Sequence, residues 1–394
     1  MNVDVAVVGG GMIGSAAARY LAMGGARVAI IGAPEPTKPH GPDQVYGSHY
    51  DQGRLARRLS KDALWVRMTT RSLDVYPRLE KAAGIPFYRA VGCLHVSGEA
   101  PDASRAVEMR DVAEKEAIPY RFYPAGDDGW REKAFGLNFP AACHVLYEPA
   151  PAGMINPRAL VQAQLRVAEQ HGATLLRETV IDVTENERGV TLATSQGTTL
   201  HAQRVLIAAG GFTNFHNLLP CPLPLTLKGE TVILGEVTAE TAAALADMPI
   251  LTYQIDHPQL SGIYMTPPVL YPDGRFYVKM GCNFTGDIRP QTLAEVQQWF
   301  RRGGGEDPKP AMAQALQAIL PDVAFISLDT RRCLICYTPG GAPIIDALRT
   351  RVFVAAGGNG SSAKCSDTLG RLAAGLMQGD PWPAAFDRER FRAC

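Results

Sequence analysis

Three glycines, a cluster of arginines, one lysine and a pair of cysteines are the residues here whose types and spacing could do chemistry. Gly9-x-Gly11-x-x-Gly14 could cradle a pyrophosphate. The first glycine permits a tight turn, the second lets the backbone approach the phosphates, and the third allows close packing of helix on strand. Arg54, Arg57 and Arg58 could hold an anion or could form a solvated helical face. Lys279 alternates with apolar residues in Phe276-Tyr277-Val278-Lys279-Met280, a pattern that on its own turns a lysine outward from a strand. Cys333-x-x-Cys336 has redox or half-zinc spacing, but no second pair accompanies it and the eight histidines show no HxxxH or HExxH pairing. No metal site is expected, and a disulfide oxidoreductase is kept only as an alternative.

A phosphate-binding glycine turn needs a strand before it and a helix after it. Val3, Val5, Val7 and Val8 supply the strand, and Ser15 to Ala22 has good helix propensity. Gly24-Gly25 ends that helix and Arg27 to Ile31 reads as a second buried strand, completing a βαβ unit. The second strand should end in Asp or Glu to hold the ribose hydroxyls of a dinucleotide, yet Gly32 stands there. Glu35, in the Pro- and Gly-rich loop from Gly32 to Gly41, could substitute. Loss of the acid could instead suggest NADP. Against that, Arg204-Val205-Leu206-Ile207-Ala208-Ala209-Gly210-Gly211 is a buried strand running into a glycine turn, the second glycine element of FAD folds, and FAD is favoured. Nearly the same octet returns as Arg351-Val352-Phe353-Val354-Ala355-Ala356-Gly357-Gly358, one local job done twice rather than a duplicated domain.

Elsewhere, Asn156-Pro157 starts a helix that Gly172 closes, and the short strands from Thr174 to Gln203 form a meander. The fold class is α/β: a Rossmann-like FAD-binding domain with an inserted, mixed or antiparallel α+β substrate domain. The expected boundaries are 1–82, 150–215 and 325–394 for the FAD domain, and 83–149 and 216–324 for the substrate domain.

Composition narrows the function. The 394 residues suit about two domains, and 46% hydrophobic residues suffice for a sizeable core. Lys and Arg together number 39, as do Asp and Glu, and no basic run marks a nucleic-acid or membrane surface. Eight thinly spread cysteines, with neither a signal peptide nor a transmembrane run, point to a cytoplasmic protein, monomeric or weakly dimeric.

Four segments resemble the D-amino-acid-oxidase superfamily of FAD enzymes, and within it the monomeric sarcosine oxidase, N-methyltryptophan oxidase and fructosyl amino acid oxidase group. They are Gly9 to Gly14; Gly47-Ser48-His49-Tyr50-Asp51-Gln52-Gly53-Arg54-Leu55-Ala56-Arg57; Phe276 to Gly281; and Arg331 to Gly340 with Ile344-Ile345-Asp346 and Gly358-Asn359-Gly360-Ser361-Ser362-Ala363-Lys364. The resemblance implies that Ser48, Tyr50, Gly210, Gly358 and Gly360 join Gly9, Gly11 and Gly14 at the cofactor. It implies Arg54 beside the flavin ring, and Arg57 with Lys364 on the substrate carboxylate. Lys279 becomes the cation that assists O2 reduction, and Cys333 the residue bonded covalently to flavin, with Cys336 its rival and Arg331 or Arg332 lowering the thiol pKa. Asn283, Met265 and Ile335 occupy places that in the sarcosine enzymes face the substrate.

The departures are Tyr50 where the group often has His, Asn283 where it has His, Gly340 where it usually has Asp, and no aromatic at Leu334 or Ile335. They imply a substrate larger or more apolar than sarcosine. The expected activity is oxidation of a secondary, N-alkyl or cyclic, amino acid to an imine with O2 reduced to H2O2. The alternatives are a dehydrogenase with another acceptor and a non-catalytic FAD-binding subunit.

Overall fold

The computed structural model describes residues 1–36, 45–98, 105–133 and 135–393; the far end of the expected loop to Gly41, and Cys394, lie outside the described residues. The β-branched run Asn2–Val8 is buried because it takes a central place in a sheet. It pairs in parallel with Val28–Ile31 on one side (Val7 opposite Ile30) and Thr199–Ile207 on the other (Val7 opposite Leu206). Val352–Ala356 lies beyond Thr199–Ile207, also in parallel. The two recurring octets therefore stand side by side with like positions paired: Val205 opposite Val352, Leu206 opposite Phe353, Ile207 opposite Val354. Both glycine turns consequently emerge at the carboxyl edge of one sheet, where open α/β folds bind ligands.

The sequence pattern puts Thr174–Leu176 in the meander, but it extends the parallel sheet next to Val28–Ile31. The antiparallel meander proper is Val180–Asn186, Gly189–Thr194 and Thr199–Ile207, whose last strand runs unbroken into the buried octet. Helix Met12–Met23 packs on Ser366–Gln378 so closely that a Cβ on Gly370 would meet the Ala17 nitrogen at 2.5 Å. Buried Arg19 pairs with Asp367 across this contact at 2.7 Å.

A second eight-stranded sheet runs in the order Ser327–Tyr337, Thr226–Val237, Phe276–Phe284, Leu260–Leu270, Ile250–Gln254, Cys93–Ser97, His144–Glu148, Arg121–Tyr123. It is antiparallel except between Ile250–Gln254 and Cys93–Ser97. Ser327–Tyr337, which carries Cys333 and follows the expected boundary at residue 325, pairs along its length with Thr226–Val237 of this sheet. A small third sheet joins Arg54–Ala56 and Tyr88–Arg89 to either side of Gly153–Ile155. Among the described residues no helix is long and apolar enough to cross a membrane.

Candidate active site

The three sheets meet around a cavity of about 990 Å³, at the upper end of the usual range for ligand pockets. Gly9, Gly11, Gly210, Gly358 and Gly360 all line it, as do Ser48, Tyr50, Arg54, Arg57, Asn283, Cys333, Ile335 and Lys364.

The glycine turns are tight for reasons the backbone makes plain. Gly9 has φ +109° and a Cβ there would lie 2.3 Å from the Ala208 carbonyl oxygen, so the two turns touch through backbone alone. Gly14 does not line the cavity; a Cβ on it would meet the Gly9 oxygen at 1.9 Å, which is the helix-on-strand contact expected of the third glycine. Gly11 caps helix Met12–Met23 with no side-chain hydrogen bond and no acid in the first turn, leaving the helix N-H groups and dipole facing the cavity. This cradle fits a dinucleotide pyrophosphate.

The missing ribose acid has a steric reason: a Cβ on Gly32 would lie 2.8 Å from the Gly10 nitrogen. Glu35 lines the cavity nearby, its carboxylate paired with Arg158 of helix Pro157–Gln170. Tyr50 donates its hydroxyl to the Ala33 carbonyl at 3.1 Å, and its ring centroid lies 4.0 Å from that of His49. Burial, with Arg177 and Arg54 adding, pushes His49 down to about 4, so this imidazole is neutral at pH 7.

Arg54 belongs to the edge strand Arg54–Ala56, and Arg57 follows it directly. Arg54 donates to the Ser48 carbonyl at 2.9 Å and reaches the Cys333 Sγ at 3.8 Å. Arg58 is turned away from the cavity. It forms a buried pair with Glu148, Nε to Oε1 3.1 Å, and the same carboxylate accepts from the Arg58 and Leu59 backbone N-H groups, each at 3.0 Å. Glu148, which sequence reasoning missed, thus fixes the chain immediately after Arg57. Lys364 is buried and donates to the Arg57 carbonyl at 3.1 Å, so both proposed carboxylate ligands sit together on one wall. Burial, reinforced by Arg57, drives Lys364 down to about 7.

Strand alternation separates the two cysteines. Cys333 shares a face with Ile335 and Tyr337 and has a guanidinium beside its sulfur. Cys336 sits in an apolar cluster with Leu227, Trp299 and Phe300, where burial pushes its thiol up to about 11. The cation near Cys333 is Arg54, not the expected Arg331 or Arg332: Arg331 is paired with Asp273 at 3.7 Å and Arg332 donates to the Phe300 carbonyl. Asn359, at φ +49°, staples this strand to the Gly357 turn by accepting from the Thr338 N-H at 2.9 Å and donating to the Gly357 carbonyl at 2.7 Å.

Lys279 is fully buried rather than outward-facing, and it does not itself line the cavity. Its ammonium contacts Asp51 Oδ2 at 2.5 Å and the Gly53 carbonyl at 2.8 Å, and lies 5.5 Å from the Tyr264 ring centroid. Burial, with Arg54 adding, pushes Lys279 well below the ordinary lysine value, while Cys333 and Glu230 oppose that push. Asp51 also accepts from the Tyr271 hydroxyl at 2.8 Å and pairs with Arg54, making it a hub absent from the residues singled out by sequence. Met265 does not face the cavity either. It lies in the core behind the second sheet, and the adjacent Tyr264 takes the cavity wall. Among the described residues there is no group of three or more His, Cys, Asp or Glu placed to hold a metal ion.

Comparison with known proteins matches residues 4–376 to the family described as FAD dependent oxidoreductase. The chain belongs to this family. A monomeric sarcosine oxidase from Bacillus sp. (strain NS-129) is 25% identical over 381 residues, covering 95% of this chain and 92% of that one. An N-methyl-L-tryptophan oxidase from Yersinia pestis (strain Pestoides F) is 25% identical over a 403-residue alignment covering both chains fully. Among solved structures, the open form of NikD, an unusual amino acid oxidase essential for nikkomycin biosynthesis, superposes with a TM-score of 0.78 at 22% identity, covering 99% and 97% of the two chains. Glycine oxidase from Geobacillus kaustophilus gives 0.73 at 20% identity, covering 100% and 98%. The cavity of this FAD oxidoreductase is therefore read as a flavin site, and the glycine cradle fits that cofactor.

Proposed function

We propose that this FAD oxidoreductase oxidises the C-N bond of a secondary amino acid, N-alkyl or cyclic, to an imine, with O2 as electron acceptor and H2O2 as product. The observation that carries the reading is the placement of Arg57 and Lys364 together on one wall of the cavity that the glycine turns line. Two cations there suit a substrate carboxylate through charge-assisted hydrogen bonds and orient the C-H bond next to nitrogen. Bound FAD supplies the hydride-accepting chemistry. The sarcosine and N-methyltryptophan oxidase relatives support an N-alkyl amino acid as substrate class.

The remaining roles follow from position. Lys279 and Arg54 bring positive charge to the flavin region, where reduction of O2 develops negative charge. Cys333, beside Arg54 rather than in the apolar cluster, is the residue we assign to a covalent flavin link. Glu35, held by Arg158, takes the ribose role that Gly32 cannot. The first and third sheets form the FAD unit and the second sheet the substrate unit. The seven cysteines among the described residues are unpaired, which suits the cytoplasm.

A dehydrogenase reading is favoured by one observation, the Asp51 carboxylate that offsets the Lys279 charge. Aerobic incubation with N-methyl and cyclic amino acids separates the two readings. Peroxide formation that falls at least about tenfold in kcat/KM in Arg57→Met supports the oxidase. Dye reduction without peroxide supports the dehydrogenase, and neither signal rejects both.

A further inference from the structure

On the second sheet's side of the cavity lies a buried polar network that the carboxylate wall does not use. Lys228 and Glu230 project from the same face of the strand Thr226–Val237, two residues apart, and are 4% and 5% exposed. Glu230 lines the cavity. Its Oε1 accepts from the Tyr264 hydroxyl at 2.9 Å, and its Oε2 lies 3.2 Å from the Lys228 ammonium. That ammonium also contacts Asp287 Oδ2 at 2.9 Å and donates to Asn283 Oδ1 at 2.7 Å. Burial works to lower the Lys228 pKa, but Glu230 and Asp287 outweigh it and keep the ammonium charged. Tyr264, pushed up by burial and then by Glu230, stays protonated.

Two carboxylates therefore share one ammonium, and the bonded network carries one net negative charge. Such a network is costly for folding alone: buried ion groups lose solvation, and apolar residues of similar volume usually serve stability as well or better. Its cavity-lining member, Glu230, shares that cavity with Arg57 and Lys364. A cavity that presents both cations and a carboxylate sharing its bonded ammonium is complementary to a ligand carrying both charges.

We infer that Glu230, backed by Lys228, Asp287 and Tyr264, is a cation-accepting subsite, so that the preferred substrate is a secondary amino acid whose side chain ends in a protonated nitrogen. The inference rests on the carboxylate wall proposed above, and it names the substrate class of that site. Glu230 selects the substrate; the reacting amine stays at the flavin.

The test uses ligands with no α-amine to oxidise. Isothermal titration of the FAD-loaded protein with 6-aminohexanoate and with hexanoate should give a Kd at least about tenfold lower for the amino compound. In Glu230→Gln, checked for retained flavin colour and thermal midpoint, that ratio should fall to within about twofold. Equal affinities in the wild-type protein, or an undiminished ratio in the variant, overturn the subsite and make the network structural only. The carboxylate wall is read separately, from hexanoate binding and its loss in Arg57→Met. If neither compound binds, both readings fall; if hexanoate binds as well as 6-aminohexanoate, only the subsite does. A wild-type ratio that Lys364→Met leaves unchanged, while both affinities drop, places the selectivity at Glu230.

Discussion

The Lys279 ammonium lies 2.5 Å from Asp51 Oδ2, although 228 residues separate the two in the chain. The contact joins the second sheet to the loop before Arg54, and it sets how much positive charge Lys279 presents. Replacing Lys279 by Met should slow flavin reoxidation by O2 far more than flavin reduction by substrate, measured by stopped-flow absorbance. In Asp51→Asn the ammonium loses its carboxylate, its pKa drops further, and the reoxidation rate should fall at a lower pH than in the wild-type protein. Equal effects on the reductive and oxidative half-reactions would remove the oxygen role of Lys279.

Lys364 makes carboxylate binding pH-dependent. With its pKa near 7 in the free protein, it is charged below that value and neutral above it. Hexanoate affinity should weaken as pH rises through about 7, and Lys364→Met should flatten the profile. Stability should move the opposite way. The folded protein binds fewer protons than the unfolded chain between about 7 and the ordinary value of 10.5, so this group favours folding increasingly as pH rises through that window.

Glu148 ties Arg58, Leu59 and His95 together beneath the arginine segment. Glu148→Ala leaves Arg58 buried without its partner and should cost about 3–5 kcal/mol in urea unfolding. Burial alone would raise the Glu148 pKa, but His95 and the Leu59 and Arg58 N-H groups more than offset it, leaving it below the ordinary 4.5. Its stabilisation is present above that value and should be lost as pH falls through the lowered one.

Much of this site was legible because its signals are local. Gly9, Gly11 and Gly14 act within one turn, and the octets at Arg204 and Arg351 carry their own strand and turn. Asp51, Glu148 and Glu230 were not singled out, because each acts through partners brought near only by the sheets. Met265 shows a different failure. The pairing of Leu260–Leu270 with Phe276–Phe284 shifts register between Ser261 and Tyr264, and again between Thr266 and Val269. A one-residue slip exchanges the two faces of a strand, and here the fold presents Tyr264 to the cavity and Met265 to the core.

The cysteine assignment is read by eye. Acid precipitation should leave yellow colour on the wild-type polypeptide and on Cys336→Ala, but not on Cys333→Ala. Free FAD in the wild-type supernatant would reject the covalent link without touching the redox reading.

The central claim is that an amino acid held by Arg57 and Lys364 reduces FAD in this cavity. Its most direct test is anaerobic mixing of the FAD-loaded protein with N-methyl and cyclic amino acids while flavin absorbance is followed. Bleaching by a member of the panel, saturable in its concentration and lost in Arg57→Met, is the predicted result. Flavin that stays oxidised with every member, or bleaches equally fast in Arg57→Met, would contradict it.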